Sequence, residues 1–451
     1  MGKKVLLLLK RNKVLVAIVV CIFYYYLIAK VLYSYEYDIW DQQTWGYTAI
    51  FKTPFIMHIK NIGNSGNSIY GPLADLYITL EAFLSLFWDK IILNSSIDIN
   101  VLSPSFMFVR KSMLGLIHIL FSLFLYKKLL KIYGNINNKN RIFTGFIIWL
   151  FNPLSLLVGT VWGQLDEIMV ILIITSFIYL IEEKLIIAGV ILGCVFSFKS
   201  QGILVLPLIL LVTYSFVFNK SKSINLANIL KNYCNKITII GFSALATFLI
   251  IHFPFFIHEG IYALRPYLEY RIFPFVQMGS FNLWMLIFGD ASEVNDNTFM
   301  IGNLSFHTAA VIFFVFFIIN ILFISLRKFI KNVRRINLEN VMELLYFIYG
   351  ALFIFMTEVH ERYIVYMYLP YLITFIIKFI RKNIKSYEYF IFIIFTITSS
   401  LNLLYGLYKG DLKEVYDLSL IDIFVRVISL INLEIYIITL FLWRVKEKNS
   451  D

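Results

Sequence analysis

The stretch FHTAAVIFFVFFIINILFISL, residues 306–326, decides the fold class. It contains no charged residue, and as a helix it is long enough to cross the roughly 30 Å hydrocarbon core of a bilayer. Similar apolar runs recur along the chain, which is 60% hydrophobic and 15% charged, with a mean hydropathy of +0.78. Because so few polar residues cannot cover a soluble domain, the sequence predicts a polytopic membrane protein.

The apolar runs predict an all-α fold with about twelve transmembrane helices plus interfacial helices in the first outer loop. The predicted spans are 14–33, 105–126, 142–160, 166–181, 185–198, 202–218, 237–254, 306–326, 341–357, 362–379, 388–406 and 427–443. The apolar segment 72–92 is placed along the outer interface instead, because a full span there would put the cluster Lys127 to Arg141 outside. No polar block exceeds roughly 50 residues, so 1–451 is predicted to be one membrane domain with larger outer regions at 34–104 and 255–305.

The basic residues of this topology gather in short loops on one side. They lie at the N-terminus, Lys127 to Arg141, Lys184, Lys220 to Lys236, Arg327 to Arg335, Lys378 to Lys385, and Arg444 to Lys448. The positive-inside rule makes this side the cytoplasm and places both termini there. The net charge of +12 therefore reflects topology and contact with membrane lipids, and no nucleic-acid partner is expected.

The outer region begins with Tyr35-Glu-Tyr-Asp-Ile-Trp-Asp41, which places acids among aromatic residues at a membrane edge. If this stretch is helical, Asp38 and Asp41 lie one turn apart and share a face. An interfacial aromatic belt with solvated acids would give the same pattern. Because other polar motifs fall on the same side, we consider Asp38 and Asp41 candidate catalytic residues.

A second outer motif, Glu358-Val-His-Glu-Arg-Tyr363, is a dense charged corner between two apolar runs. Ionisable residues at span ends cost free energy unless they are paired, so they are candidates for function. Arg362 can hold a phosphate through two parallel hydrogen bonds, and His360 adds a donor or a proton carrier. The alternative is an internally paired Glu–Arg corner that stabilises a tight turn.

Further outer motifs offer polar groups for a sugar or an anion. Trp162-Gly-Gln-Leu-Asp166 is either a helix cap or a wall in which Gln164 and Asp166 accept hydrogen bonds from sugar hydroxyls while Trp162 stacks on the ring. Lys199, followed by Gln201, is either a snorkelling lysine or a positive charge for an anion. Arg271, and Asn282 with Trp284, suit a phosphate or a sugar face, or a lipid headgroup.

The sequence predicts neither a cofactor nor a metal site. The histidines His58, His118, His252, His258 and His307 show no ligand spacing, and the three cysteines are isolated. A divalent ion is possible if the carboxylates of Asp38, Asp41 and Asp166 lie close together in the fold.

Taken in order, the outer motifs resemble those of the C-type (GT-C) membrane glycosyltransferases that use polyprenyl-phosphate sugars. The resemblance is strongest to bacterial relatives of the second GPI mannosyltransferase, and more distant to the glucosyltransferases that extend dolichol-linked N-glycan precursors. The motifs are Asp38 with Trp45, Tyr70-Gly-Pro-Leu73, Asn152-Pro153, Trp162 to Asp166, Lys199 to Gln201, Phe281 to Trp284, and His360 to Tyr363. The chain departs from the family pattern at Gly71 and Ser200, where the family usually has proline.

The resemblance implies a hexosyltransferase, mannosyltransferase-like in substrate, in a bacterial plasma membrane with an extracytoplasmic site. It implies inverting transfer from a polyprenyl-phosphate sugar to a glycan, lipid-linked or protein acceptor, with Asp38 as general base and Asp41 as an alternative. His360, Arg362, Lys199 and Arg271 would bind the donor phosphate. The expected sugar and acceptor contacts are Trp162, Gln164, Asp166, Gln201, Asn282, Trp284 and Glu361.

Two other functions fit a basic polytopic protein. A lipid-linked saccharide flippase should carry charges at the membrane midplane and repeat symmetry between its halves, and neither is visible here. A polymerase or ligase that uses lipid-diphosphate donors shares the outer arginines and differs in the lipid that it releases.

Overall fold

A computed structural model describes residues 12–31, 36–51, 55, 68–92, 101–135, 138–220, 226–268, 274–290, 294–332 and 336–448. The described chain is almost entirely helical, which confirms the all-α class. Its exception is a small antiparallel hairpin formed by β1 (Phe299–Ile301) and β2 (Leu304–Ser305).

The first half of the described chain contains eleven α-helices, several of them extended by π-helical or 3-10 turns. They are α1 (Lys13–Val31), α2 (Glu36–Phe51), α3 (Pro72–Phe87) with the π-helical turn Trp88–Ile92, α4 (Pro104–Tyr133), α5 (Lys139–Leu150), α6 (Pro153–Ser155) with the π-helical segment Leu156–Trp162, α7 (Asp166–Ile181), α8 (Leu185–Phe198), the 3-10 turn Ser200–Val205 leading into α9 (Leu206–Lys220), α10 (Leu226–Glu259), and the 3-10 turn Gly260–Leu264 leading into α11 (Arg265–Leu268).

The second half begins with a short helix and the hairpin and then contains five long helices. They are α12 (Leu283–Phe288), α13 (Phe306–Asn332), α14 (Leu338–Phe355), the 3-10 turn Glu361–Tyr363 leading into α15 (Ile364–Ile380), α16 (Ser386–Val415) and α17 (Leu418–Lys448).

Side-chain caps fix where several of these helices begin. Ser103 accepts hydrogen bonds from the backbone N–H groups of Ser105 and Phe106, and Pro104 opens α4 without needing a donor. Asn152 caps α6 before Pro153 in the same way. These caps explain why the helices start at the polar residue that follows each loop.

Nine helical stretches within the described ranges are long and apolar enough to cross a bilayer. They are Pro104–Tyr133, Lys139–Trp162, Ser200–Val217, Ala227–Leu268, Phe306–Arg327, Leu338–Phe355, Glu361–Ile380, Ser386–Lys409 and Leu418–Val445. The chain is therefore a multi-pass membrane protein. The predicted spans 14–33, 166–181 and 185–198 lie on α1, α7 and α8, which are not among the nine, so a total of twelve stays a prediction.

The predicted interfacial segment 72–92 forms α3 and its π-helical turn, and it too is outside the nine. Its buried side chains include Asp75 and Glu81, and it packs against α2 and α4. Acids on the buried face of this helix suit contact with neighbouring protein, not with lipid.

The predicted cytoplasmic charges form ion pairs at one end of the helical bundle. Glu182, just after α7, lies 2.8 Å from the ammonium of Lys128 and 3.4 Å from that of Lys184. Since α7 begins at Asp166 and α8 ends just before Lys199, those two residues lie at the opposite end of the same helices, roughly 24 Å away for sixteen helical residues. The bundle thus separates the basic residues from most of the outer motifs.

Candidate active site

Two acids flank one arginine at the end of the bundle opposite the basic residues. Nη1 of Arg362 lies 3.2 Å from Oδ2 of Asp38, and Nε of Arg362 lies 3.4 Å from Oδ2 of Asp166. Asp166 is fully buried and the Arg362 side chain nearly so, whereas the Asp38 side chain is 33% exposed. Asp38 is therefore the member of this triad that an incoming molecule can reach.

The second cation, Lys199, completes the charge balance around the buried acid. Its ammonium lies 2.7 Å from Oδ1 of Asp166, and the hydroxyl of Tyr366 donates to the same oxygen at 2.7 Å. The Lys199 ammonium also lies over the rings of Tyr363 and Tyr70, at 4.6 and 5.4 Å from their centroids. Such pairing is what makes a charge tolerable away from water.

Gln164 fixes the orientation of the Asp38 carboxylate. Its Nε2 donates to Oδ2 of Asp38 at 2.8 Å. The turn that presents Gln164 follows the buried π-helical segment Leu156–Trp162, and Gly163 adopts φ +81°, which glycine reaches without strain. Single π-helical turns are frequent at functional sites because they re-aim the residues that follow.

A buried network that sequence reasoning missed holds α2, α3 and α4 to this turn. Nε of Arg110 donates to the carbonyl of Gly163 at 2.6 Å, and its Nη1 lies 2.9 Å from Oε2 of Glu81. Its Nη2 donates to Oε1 of Gln42, one turn after Asp38. The available signal was a charged residue inside the predicted span 105–126, which needs a buried partner.

The charged corner is held by a loop from the 255–305 region. The backbones of Met278 and Gly279 form β-bridges with His360, and the Ser280 hydroxyl donates to the carbonyl of Val359. Gly279 has φ +86°, and a Cβ added there would lie 2.7 Å from Oε2 of Glu361. This loop therefore sets the position of Glu361, beside Arg362.

His360 is partly buried next to two cations. Burial, Arg362 and Lys199 together lower the pKa of His360 well below its usual range. The imidazole is therefore neutral at physiological pH, so it can offer a hydrogen bond to a phosphate and no positive charge.

Asp41 lies on the same helix as Asp38, which confirms that the stretch is helical. Burial and the charge of Asp38 raise the pKa of Asp41 to about 6. The two carboxyl groups thus differ in environment, since Asp38 has a guanidinium partner and Asp41 is disfavoured as an anion.

The remaining predicted residues occupy different positions. Gln201 donates to the hydroxyl of Tyr363 at 3.0 Å, at the edge of the cluster. The Asn282 side chain caps α12, and Nε1 of Trp284 donates to the carbonyl of Phe355 at 2.8 Å, so both are anchored in protein contacts. Trp162 is almost fully buried, and Arg271 lies outside the described residues.

Several buried polar atoms around the cluster have no hydrogen-bond partner within the described part of the chain. They are Nε1 of Trp162, Oε1 of Gln164, Oδ2 of Asp166, Oε1 of Gln201 and Nε of Arg362. Buried polar groups are normally hydrogen-bonded, and a site completed by a polar ligand or by water is one explanation for such a group of exceptions. Since Oδ2 of Asp166 and Nε of Arg362 lie 3.4 Å from each other as an ion pair, the atoms of this set that a polar ligand could satisfy are those of Trp162, Gln164 and Gln201.

Three side chains with metal-binding groups lie close together at a different place. Nδ1 of His307 lies 3.3 Å from Oδ2 of Asp296 and 3.9 Å from Oε1 of Glu358, a set whose ligand atoms could hold an ion. Asp38, Asp41 and Asp166 do not form such a set among the described residues, because the Arg362 guanidinium lies between Asp38 and Asp166.

The cluster joins an accessible carboxylate to a buried guanidinium and a buried ammonium. No family model and no curated protein matches this chain. The chemistry available to the cluster therefore follows from its own atoms: a carboxylate that can accept a proton, and cations that can stabilise a negative charge.

Proposed function

We propose that the protein is an integral membrane glycosyltransferase. It transfers a hexose from a polyprenyl-phosphate sugar to an acceptor on the extracytoplasmic side of a bacterial plasma membrane. About twelve spans and cytoplasmic termini belong to this proposal. The observation that carries it is the 3.2 Å contact between Asp38 and Arg362, at the end of the bundle opposite the basic residues.

Asp38 acts as the general base. A sugar hydroxyl is a poor nucleophile at neutral pH, and a positioned base contributes typically about 10²–10⁴-fold in rate. The partial exposure of Asp38 lets an acceptor hydroxyl approach, while Gln164 holds the carboxylate oriented. The hydroxyl oxygen attacks the anomeric carbon as its proton passes to Asp38, so a single displacement inverts the anomeric configuration.

Arg362 and Lys199 provide the positive charge for the leaving group. As the bond from the anomeric carbon to the phosphate oxygen breaks, the phosphate gains negative charge, which a preorganised cation stabilises more in the transition state than in the ground state. The Arg362 guanidinium has five N–H donors in a fork that matches phosphate, and its contacts with Asp38 and Asp166 are made by Nη1 and Nε. Neutral His360 adds a hydrogen bond.

A saccharide flippase is the competing function. Its charges should lie along the path through the membrane, whereas Asp38, Asp166, Lys199 and Arg362 are gathered at one end of the bundle. An accessible carboxylate beside cations suits the cleavage of a bond to a sugar better than the passage of a saccharide through the membrane.

The test uses the full chain purified in detergent and a synthetic polyprenyl-phosphate hexose, with release of polyprenyl monophosphate as the readout. We expect Asp38→Asn to lower turnover by about 100-fold or more, because the amide cannot accept the proton. The matched control is Asp411→Asn, at an exposed position of α16, which should keep wild-type turnover. Near-normal turnover of Asp38→Asn would refute the base role, and release of a lipid diphosphate would instead identify the polymerase class.

A further inference from the structure

A lateral groove on the bundle lies apart from the charged cluster. It encloses about 590 Å³, within the roughly 300–1,000 Å³ of ligand pockets. Its described lining residues come from α1, α4 and the π-helical segment, including Ile22, Tyr26, Phe108, Leu116 and Thr160. Most of this lining is apolar and partly exposed, so the groove opens toward lipid.

The shape of the groove suits one extended chain. The α4 residues that line it are Phe108, Lys111, Ser112, Gly115, Leu116 and Ile119, which recur at helical spacing along one face. They cover eleven helical steps, roughly 16 Å at 1.5 Å per residue. A long narrow apolar surface matches an alkyl or isoprenoid chain better than a compact ligand.

One cation lies near the end of this groove that is closer to the active site. Lys111 is half-buried two turns into α4, and no carboxylate of a described residue lies within ion-pair distance of it. By contrast, its neighbour Arg110 is paired with Glu81, and Lys199 is paired with Asp166. A cation within a span calls for an anionic partner, and the headgroup phosphate of a lipid in the groove would supply one.

The groove belongs to the side of the active site that carries Asp38. Thr160 in its wall is followed within four residues by Gln164, which donates to Asp38, and Arg110 beside Lys111 holds the carbonyl of Gly163. None of the described lining residues comes from the elements that carry Lys199 or Arg362. The described groove is therefore formed next to the elements that position Asp38.

From this placement we infer that the groove binds the acceptor, and that the acceptor is lipid-anchored: an isoprenoid chain with its phosphate on Lys111. The acceptor role rests on the proposed function, because it takes Asp38 as the base that receives the acceptor proton. The binding of a polyprenyl phosphate in the groove does not depend on turnover.

Binding can be measured with a photoactivatable polyprenyl phosphate and peptide mapping on the full chain in detergent. We expect crosslinks on α1 and α4, and about tenfold weaker competition by a polyprenyl alcohol, which lacks the phosphate contact. Lys111→Gln should weaken binding of the phosphate by about tenfold for the same reason. The matched control, Lys127→Gln, changes an exposed lysine further along α4 and should bind normally.

A second variant fills the groove. A Cβ at Gly115 would meet only Thr160 Oγ1, at 3.9 Å, so Gly115→Leu is tolerated by the backbone and extends its side chain into the space. We expect at least a tenfold loss of binding, while Gly241→Leu, at an open position on α10, should have no effect.

Three results would overturn the inference. They are equal competition by phosphatidylglycerol, which would make the groove a site for bulk lipid, unchanged binding in both groove variants, and loss of binding in Arg362→Gln, which would assign the ligand to the donor side. Failure of the proposed function has a different signature, because wild-type protein would then bind polyprenyl phosphate selectively and release no lipid phosphate from the sugar donor.

Discussion

Arg362 contacts Asp38 across 324 residues of sequence, with Nη1 of the guanidinium 3.2 Å from Oδ2 of the carboxylate. The same guanidinium lies 3.4 Å from Asp166, so one arginine serves two acids that differ in exposure. Asp38 is partly exposed, while Asp166 is fully buried against the same guanidinium.

Replacing Arg362 by lysine should weaken donor binding. Lysine keeps the positive charge but lacks the planar guanidinium group, so it cannot contact Asp38, Asp166 and a phosphate at the same time. We expect KM for the polyprenyl-phosphate hexose to rise by about tenfold or more, measured in the purified protein. Arg426→Lys, at an arginine that lies 2.7 Å from Asp422 on α17, is the control and should leave KM unchanged. An unaltered KM in Arg362→Lys would exclude a phosphate clamp.

The buried pair of Lys199 and Asp166 should behave as a coupled unit in folding. Asp166→Asn leaves Lys199 with little compensation in a buried place, which costs about 3–5 kcal/mol of unfolding free energy. Adding Lys199→Met should recover a large part of that loss, as measured by chemical unfolding in mixed micelles. The exposed lysine Lys131, near Glu182, offers the comparison, since Lys131→Met should cost no more than about 1 kcal/mol. Additive effects of the two buried changes would contradict the pairing.

Gly279 should be more sensitive to alanine than another glycine in the same backbone conformation. Gly279 and Gly302 both have positive φ, so alanine costs roughly 1–2 kcal/mol of strain at either site. Only at Gly279 would the new Cβ meet Glu361, at 2.7 Å, whereas Gly302 has open space. Because displacement of a site by about 1 Å can cost 10²-fold in rate, we expect Gly279→Ala to lower turnover by up to about 100-fold. Equal turnover in Gly279→Ala and Gly302→Ala would argue against this role of the loop.

Asp41 should give the fold a pH dependence between about pH 4 and 6. Its pKa is raised to about 6, so the folded state binds more protons than the unfolded state in this window, and stability falls as pH rises through it. We expect Asp41→Asn to remove this component, so its thermal midpoint should exceed that of the wild type by more at pH 7 than at pH 4.5. Asp411→Asn, at an exposed position of α16, is measured alongside as the control. A pH-independent difference for Asp41→Asn would show that its carboxyl group does not titrate in this range.

The membrane character and the helical elements could be predicted from sequence because they depend on local composition. The run 306–326, for example, is helical from its first residue and forms most of α13, since its apolar length alone determines a helix. The number of spans depends on how α1, α7 and α8 sit relative to a bilayer, which composition does not fix.

The meeting of Asp38, Gln164, Asp166, Lys199 and Arg362 could be anticipated because all are polar residues at helix ends on one predicted side. The network of Arg110, Glu81 and Gln42 was missed, because contacts between side chains of different helices, here α2, α3 and α4, leave no periodic pattern in the sequence. The hydrogen bond from Trp284 to the carbonyl of Phe355 was also missed. An aromatic residue in a predicted outer loop is equally compatible with a ligand contact and with packing inside the protein.

The long sequence separation between the two halves of the charged cluster has a consequence for biosynthesis. During translation Asp38, Asp166 and Lys199 leave the ribosome well before Arg362, and the buried acid then lacks one of its cations. A nascent chain that stops short of α15 therefore has Asp38 without its guanidinium partner, and Asp166 with Lys199 as its one described cation.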